Sequence, residues 1–91
     1  MKQEKRHKLQ LYHDILCAIE EDSIGSGHAL PTHIQHHSRL SYDKMTFHFA
    51  ELEEIGMIQR NPKGLLTITG KGRQFVRQYD ELVLLIESAG L

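Results

Sequence analysis

Seven histidines in 91 residues are the first chemical feature of this chain. His33 and His37 are four apart, so a helix would put both on one face, with His36 beside them and His28 just upstream. Imidazoles at that spacing can hold a zinc or copper ion, but a site also needs further ligands. No carboxylate or thiolate is obvious beside them and there is no HExxH pattern, so no metal and no cofactor are expected. His33 and His37 remain the weak candidates for a metal. The single cysteine, Cys17, cannot form an internal disulfide. It lies in an apolar helical pattern and reads as a small residue at the edge of a core in a reducing cytosol. There is no GxSxG, no phosphate-binding loop and no cysteine–histidine pair at a useful spacing, and Gly70 with Gly72 is not a dinucleotide fingerprint. An enzyme is not expected.

Charge is distributed more tellingly than its net value of -1 suggests. Residues 1–8 hold four basic side chains and one acid. Residues 59–78 carry Arg60, Lys63, Lys71, Arg73 and Arg77 with no acid. The acids gather elsewhere, at Asp14 and Glu20–Asp22, at Glu51, Glu53 and Glu54, and at Asp80, Glu81 and Glu87. A segregated basic face suits contact with phosphate, and equally a solvated surface. No apolar run approaches the ~20 residues of a membrane span, and the basic N-terminus lacks the apolar segment of a signal peptide. The expected compartment is the cytoplasm.

The elements that must position these residues can be read in order. Leu9, Tyr12, Ile15, Leu16 and Ile19 form one stripe of a first helix over 5–22. Gly25-Ser26-Gly27 marks a loop. Thr32 and Gln35 predict a capping box opening a short second helix that ends near Ser38, with Arg39-Leu40 as the turn. Ser41 caps a third helix, Met45, Phe49 and Leu52 face its core side, and Gly56 ends it. Met57–Arg60 and Leu65–Ile68 are two strands around a turn set by Pro62 and Gly64. A last helix opens at Thr69 and runs to about Ser88. Phe75, Tyr79, Leu82, Ile86 and Ala89 are spaced 4, 3, 4, 3 along it, widened by Val76 and Val83. That is the spacing of a coiled-coil seam. Its apolar segment 82–86 calls for a partner, most simply a second copy of the chain. The alternative is that it folds back on the first helix.

Three helices, a hairpin and a long helix make a mainly α fold with a small β-hairpin (α+β), a winged helix-turn-helix with a long C-terminal dimerisation helix. Residues 1–68 are the winged unit, 1–8 being its basic arm, and 69–91 the dimerisation helix. Leu11–Leu16, Pro31–Ile34, Leu40–Asp43, Leu52 with Gly56-Met57-Ile58, and Thr67-Ile68-Thr69 with Lys71, Gly72 and Phe75 span most of the chain in a fixed order. In these the chain resembles the small archaeal winged-helix DNA-binding proteins of the Sulfolobus "ten-a" type, which pair through an antiparallel coiled coil of their last helices. Gly70 departs from the resemblance, standing where the family usually has a charged helix former, which would loosen the junction. The last helix is also short for such a seam. The resemblance implies an archaeal cytoplasmic protein that binds double-stranded DNA as a homodimer, as a transcriptional regulator or a chromatin-associated factor.

On that fold the third helix, 41–55, would enter the major groove and the wing, 57–68, would lie on the backbone. Base-reading candidates are Tyr42, Lys44, Thr46, Phe47 and His48, with Lys44 and His48 expected on one outward face. Phosphate candidates are Thr32, Arg39, Arg60, Lys63, Lys71 and Arg73. Phe75, Tyr79, Leu82, Val83, Ile86 and Ala89 would form the dimer interface. The histidine cluster would tighten binding as pH falls. The alternative function is a winged-helix module that binds protein, without sequence-specific DNA binding.

Overall fold

A computed structural model describes residues 7–90. The basic stretch 1–6, with the predicted start of the first helix, lies outside the described residues. In chain order the elements are α1 (Lys8–Asp22), α2 (Pro31–Ser38), α3 (Tyr42–Glu54), β1 (Ile58–Arg60), β2 (Leu66–Ile68) and α4 (Gly70–Ser88). Four helices and a two-stranded antiparallel hairpin give the mainly α winged helix-turn-helix expected from the sequence.

α1 buries Leu11, Tyr12, Ile15, Leu16, Ala18 and Ile19. Leu9, assigned to that stripe, is exposed in the first turn and Leu11 takes its place in the core. His7 caps the helix, its Nδ1 accepting the Leu9 N–H at 3.1 Å. α2 opens differently from the prediction. Leu30 is its N-cap and makes no side-chain cap bond, while Pro31 takes the first helical position, where a missing N–H costs nothing. Thr32 therefore lies inside the first turn and no capping box forms with Gln35. α2 ends at Arg39, a non-glycine residue at φ 58 in the left-handed region, whose N–H reaches the His36 carbonyl. Leu40 packs against the core between α2 and α3.

Ser41 caps α3 as predicted, accepting the Lys44 N–H at 3.3 Å. Met45, Phe49 and Leu52 are its buried residues, and Gly56 follows at φ 84. The strands pair Ile58 with Ile68, Gln59 with Thr67 and Arg60 with Leu66. Asn61 organises the turn between them, its Oδ1 accepting the N–H groups of Lys63 and Leu65, each at 2.9 Å. Ala29, in the loop before α2, bridges to the other edge of β2 through two backbone bonds with Leu66. β2 is thus the centre of a minimal three-stranded arrangement, and the Ala29 bridge fastens that loop to the wing.

The joint between α3, the hairpin and α4 is dense. The Thr69 N–H donates to the Met57 carbonyl at 3.0 Å, its hydroxyl donates to the Gly56 carbonyl at 2.7 Å, and the same oxygen accepts the Gly72 N–H at 3.1 Å. Gly72 is the buried residue of α4. A Cβ there would stand 2.4 Å from the Met57 carbonyl oxygen and 2.7 Å from Ile68 Cγ1. At Gly70 a Cβ would meet nothing within 4 Å. The glycine that the packing requires is therefore the third residue of the helix, whereas at Gly70 the surroundings leave room for a side chain.

Candidate nucleic-acid interface

The third helix carries its candidates on several faces. Tyr42, Lys44, Thr46 and Phe47 are exposed, and Phe47 is 62% exposed in mid-helix. His48 is not on the outward face with Lys44. It is half-buried, with its ring edge against Tyr12 at 5.5 Å and against Phe47 at 5.5 Å. Its Nδ1 is buried without a hydrogen-bond partner among the described residues. Burial first, then the positive charges of Lys8 and Lys44, holds its pKa below the ordinary histidine range. The i, i+4 spacing from Lys44 was real, but α1 packs over that flank of the helix. Tyr12 in particular lies there, its hydroxyl donating to Glu51.

The carboxylates of α3 are partly neutralised. Glu51 accepts from Lys8 Nζ at 3.0 Å, and Glu53 lies 3.5 Å from Arg60 Nε. Arg60, a wing candidate, is thereby engaged, and its guanidinium also lies 5.9 Å from the centroid of the Phe49 ring.

The other phosphate candidates divide in two. Arg39, in the turn before α3, and Lys63, at the hairpin tip, are exposed. Like Lys44, they have no side-chain partner among the described residues. Lys71 and Arg73 are engaged within the chain. Lys71 Nζ donates to the Ile55 carbonyl at the end of α3, 2.8 Å away, where a cation complements the helix dipole. Arg73 Nε pairs with Glu20 of α1 at 3.4 Å. Thr32 is exposed at the start of α2, but a carboxylate already sits close by. Asp22 accepts the Leu30 N–H at 2.9 Å and the His33 ring at 3.0 Å. The Leu30 bond first, then His33, holds the Asp22 carboxyl below the usual carboxylate range. Sequence reading missed Asp22, because its partners are eight and eleven residues away.

The histidines do not assemble a metal centre. His33 is taken by Asp22, His37 lines the same cleft, and among the described residues no three His, Cys, Asp or Glu side chains are grouped to hold an ion. A cysteine–histidine pair does exist, against the sequence reading: Cys17 Sγ lies 3.6 Å from His13 Nε2. Burial first, then the negative charges of Asp80 and Asp14, pushes the Cys17 thiol up to about 11, so it stays protonated and unreactive at neutral pH. His13 stacks on Tyr79 with ring centroids 4.6 Å apart and meets Asp80 at 2.8 Å.

These contacts fix the first half of α4. Phe75 and Val76 pack against the core, Tyr79 lies on His13, and Val83 is half-buried. The second half stands clear: Leu82, Leu84, Leu85 and Ile86 are all exposed, as is Ala89. Of the seam read from the sequence, Phe75 and Tyr79 are thus occupied inside the chain, and the free apolar surface begins at Leu82. No helix among the described residues is long and apolar enough to cross a membrane.

The fold is similar to that in the crystal structure of Sso10a-2, a DNA-binding protein from Sulfolobus solfataricus, with a TM-score of 0.71 and 18% identity. The match covers 92% of this chain and 85% of that one. No curated protein sequence matches the chain. A family model described as winged helix-turn-helix matches residues 5–87. With a helix-turn-helix, a hairpin wing and a match over nearly its whole length, the chain belongs to the winged helix-turn-helix family.

Proposed function

We propose that the chain binds double-stranded DNA as a homodimer and serves in an archaeal cytoplasm as a transcriptional regulator or chromatin-associated factor. α3 enters the major groove with Tyr42, Lys44, Thr46 and Phe47 towards the base edges. The wing lies along the backbone. The observation that carries this reading is the placing of Arg39, Lys44 and Lys63. They stand on the turn before α3, on its first turn and on the hairpin tip, exposed and with no protein partner among the described residues. Cations left unpaired on those three elements suit a phosphate track. The likeness in fold to Sso10a-2, described as a DNA-binding protein, supports the same reading. Pairing through α4 is supported by its apolar end, where Leu84 and Leu85 are 62% and 65% exposed.

The test is a titration of the protein against mixed-sequence duplex over a range of salt. Each phosphate contact adds about −0.9 to the slope of log affinity against log salt. With Lys44 on the base edges, Arg39 and Lys63 from each of two protomers give a slope of roughly −4. An affinity flat in salt would refute the reading. It would favour the protein-binding module, for which α3 offers Asp43, Glu51, Glu53 and Glu54 against a single lysine.

A further inference from the structure

We infer that the outward face of α3 reads the C5-methyl groups of thymine, through Thr46, Phe47 and Ala50. The inference rests on the docking of α3 proposed above and names what that helix recognises. With Met45, Phe49 and Leu52 buried, these three residues are exposed on the other side of the helix. Thr46 and Ala50 are four apart and Phe47 and Ala50 three apart, so they form one continuous patch. The Phe47 ring is braced. It meets His48 in a T-shaped contact, His48 meets Tyr12, and Tyr12 is buried in the core. A row of rings thus leads from the hydrophobic core to the exposed face.

The chemistry of that patch is selective. Bidentate reading of adenine needs asparagine or glutamine and that of guanine arginine or lysine; of these α3 contains Lys44 alone. Lys44 is its one cation and the Tyr42 hydroxyl its other long donor. Phenylalanine, alanine and the threonine methyl are the side chains that meet the thymine methyl in the major groove. Asp43 lies one turn before Phe47. Its carboxylate repels the acceptors of guanine and thymine and can accept from adenine N6 or cytosine N4, so it bears on the orientation of a pair and not on A·T against G·C. Lys44 on the same helix and Arg39 in the turn before it suit a polyanion as the patch's occupant more than an apolar protein surface, against Asp43 and Glu54 on that helix.

The experiment uses the full chain and two duplexes of alternating A·T sequence, one with thymine and one with deoxyuridine at every thymine position. They differ only in the methyl group. Affinity is followed by fluorescence anisotropy over a range of salt. Wild type is expected to bind the uracil duplex more weakly, roughly fourfold for each buried methyl group that the duplex no longer offers. The salt slope should be the same on both, because the phosphates are unchanged. Phe47→Ala, at an exposed position, is expected to lose most of the preference and keep the part due to Thr46 and Ala50, with Phe47→Leu in between. Equal wild-type affinity for the two duplexes, with a steep salt slope, overturns methyl reading and leaves DNA binding standing. Absence of salt-dependent binding to either overturns both. If Phe47→Ala changes sedimentation but neither duplex affinity, the ring belongs to a protein contact and methyl reading is likewise overturned.

Discussion

Alanine at Gly72 and alanine at Gly70 should have opposite effects, two residues apart in one helical turn. The Gly72 Cβ would lie 2.4 Å from the Met57 carbonyl oxygen, about 1 Å inside ordinary contact. That carbonyl cannot easily retreat, because it accepts the Thr69 N–H at 3.0 Å and precedes β1. Ile68, the other neighbour, is buried. Overpacking of this kind costs about 1–3 kcal/mol. The better helix propensity of alanine offsets up to ~1 kcal/mol of that. The net expectation is a destabilisation of about 1–2 kcal/mol, or a Tm lowered by roughly 5–15 °C for a domain of this size. At Gly70 nothing opposes the new methyl and φ is not positive. Only the propensity gain remains, so Tm should hold or rise by a few degrees. Thermal and urea unfolding followed by circular dichroism, at one protomer concentration, measures both. A Gly72→Ala protein as stable as wild type would refute the close packing of α4 on Met57 and Ile68.

Leu82→Glu with Ile86→Glu is expected to leave a folded monomer; a wild type that already sediments as a monomer at concentrations on the order of tens of micromolar would sink the proposed pairing. Lys63→Ala should reduce the salt slope by about 0.9 per protomer with little change in stability. Lys71→Ala should instead leave the slope alone and cost about 0.5–1 kcal/mol of stability, since its ammonium caps α3; equal slope changes in the two variants would contradict that division. His48 is a base whose folded pKa is depressed, so the unfolded chain takes up its proton first. The associated stability is present above the unfolded pKa of about 6.5 and is lost as pH falls. His48→Phe should therefore lose part of the acid sensitivity of wild-type Tm between about pH 7 and pH 5, while the pH dependence of duplex binding stays as in wild type; an unaltered Tm profile would count against the buried ring.

Much of the fold was legible because its signals are local. Ser41, Gly56 and Thr69 each act on backbone within a few residues, and the spacing of Met45, Phe49 and Leu52 needs only helical periodicity. What sequence reading missed is non-local. The phases of Leu9 and His48 depend on where α1 ends and what it covers. Lys71 and Arg73 read as free cations because their partners, Ile55 and Glu20, are sixteen and fifty-three residues distant. Asp22 and the Ala29 bridge were invisible for the same reason. Thr32 and Gln35 did carry a local capping signal, but the adjacent Pro31 started the helix two residues earlier, with Leu30 as its N-cap. The electrostatic face was therefore readable as a composition and not as a set of pairings.

The joint at the base of α4 can also be viewed as the pivot of a lever. With 19 residues at ~1.5 Å each, the helix is about 28 Å long, and because α1 also holds its first half through His13 and Glu20, a tilt of about 10° of α1 and α4 together would sweep the tip through about 5 Å. That base is fastened to the end of α3 by Thr69 on Gly56 and Lys71 on Ile55. In the proposed dimer, the angle at which each arm leaves its body sets the distance and phase between the two groove helices, which must match a DNA repeat of about 34 Å. The two bonds then matter more as an angular constraint than as energy. A change that shifted this joint together with the contacts of α4 on α1 would alter which spacing of sites the pair can span, while leaving every DNA-facing side chain as it was.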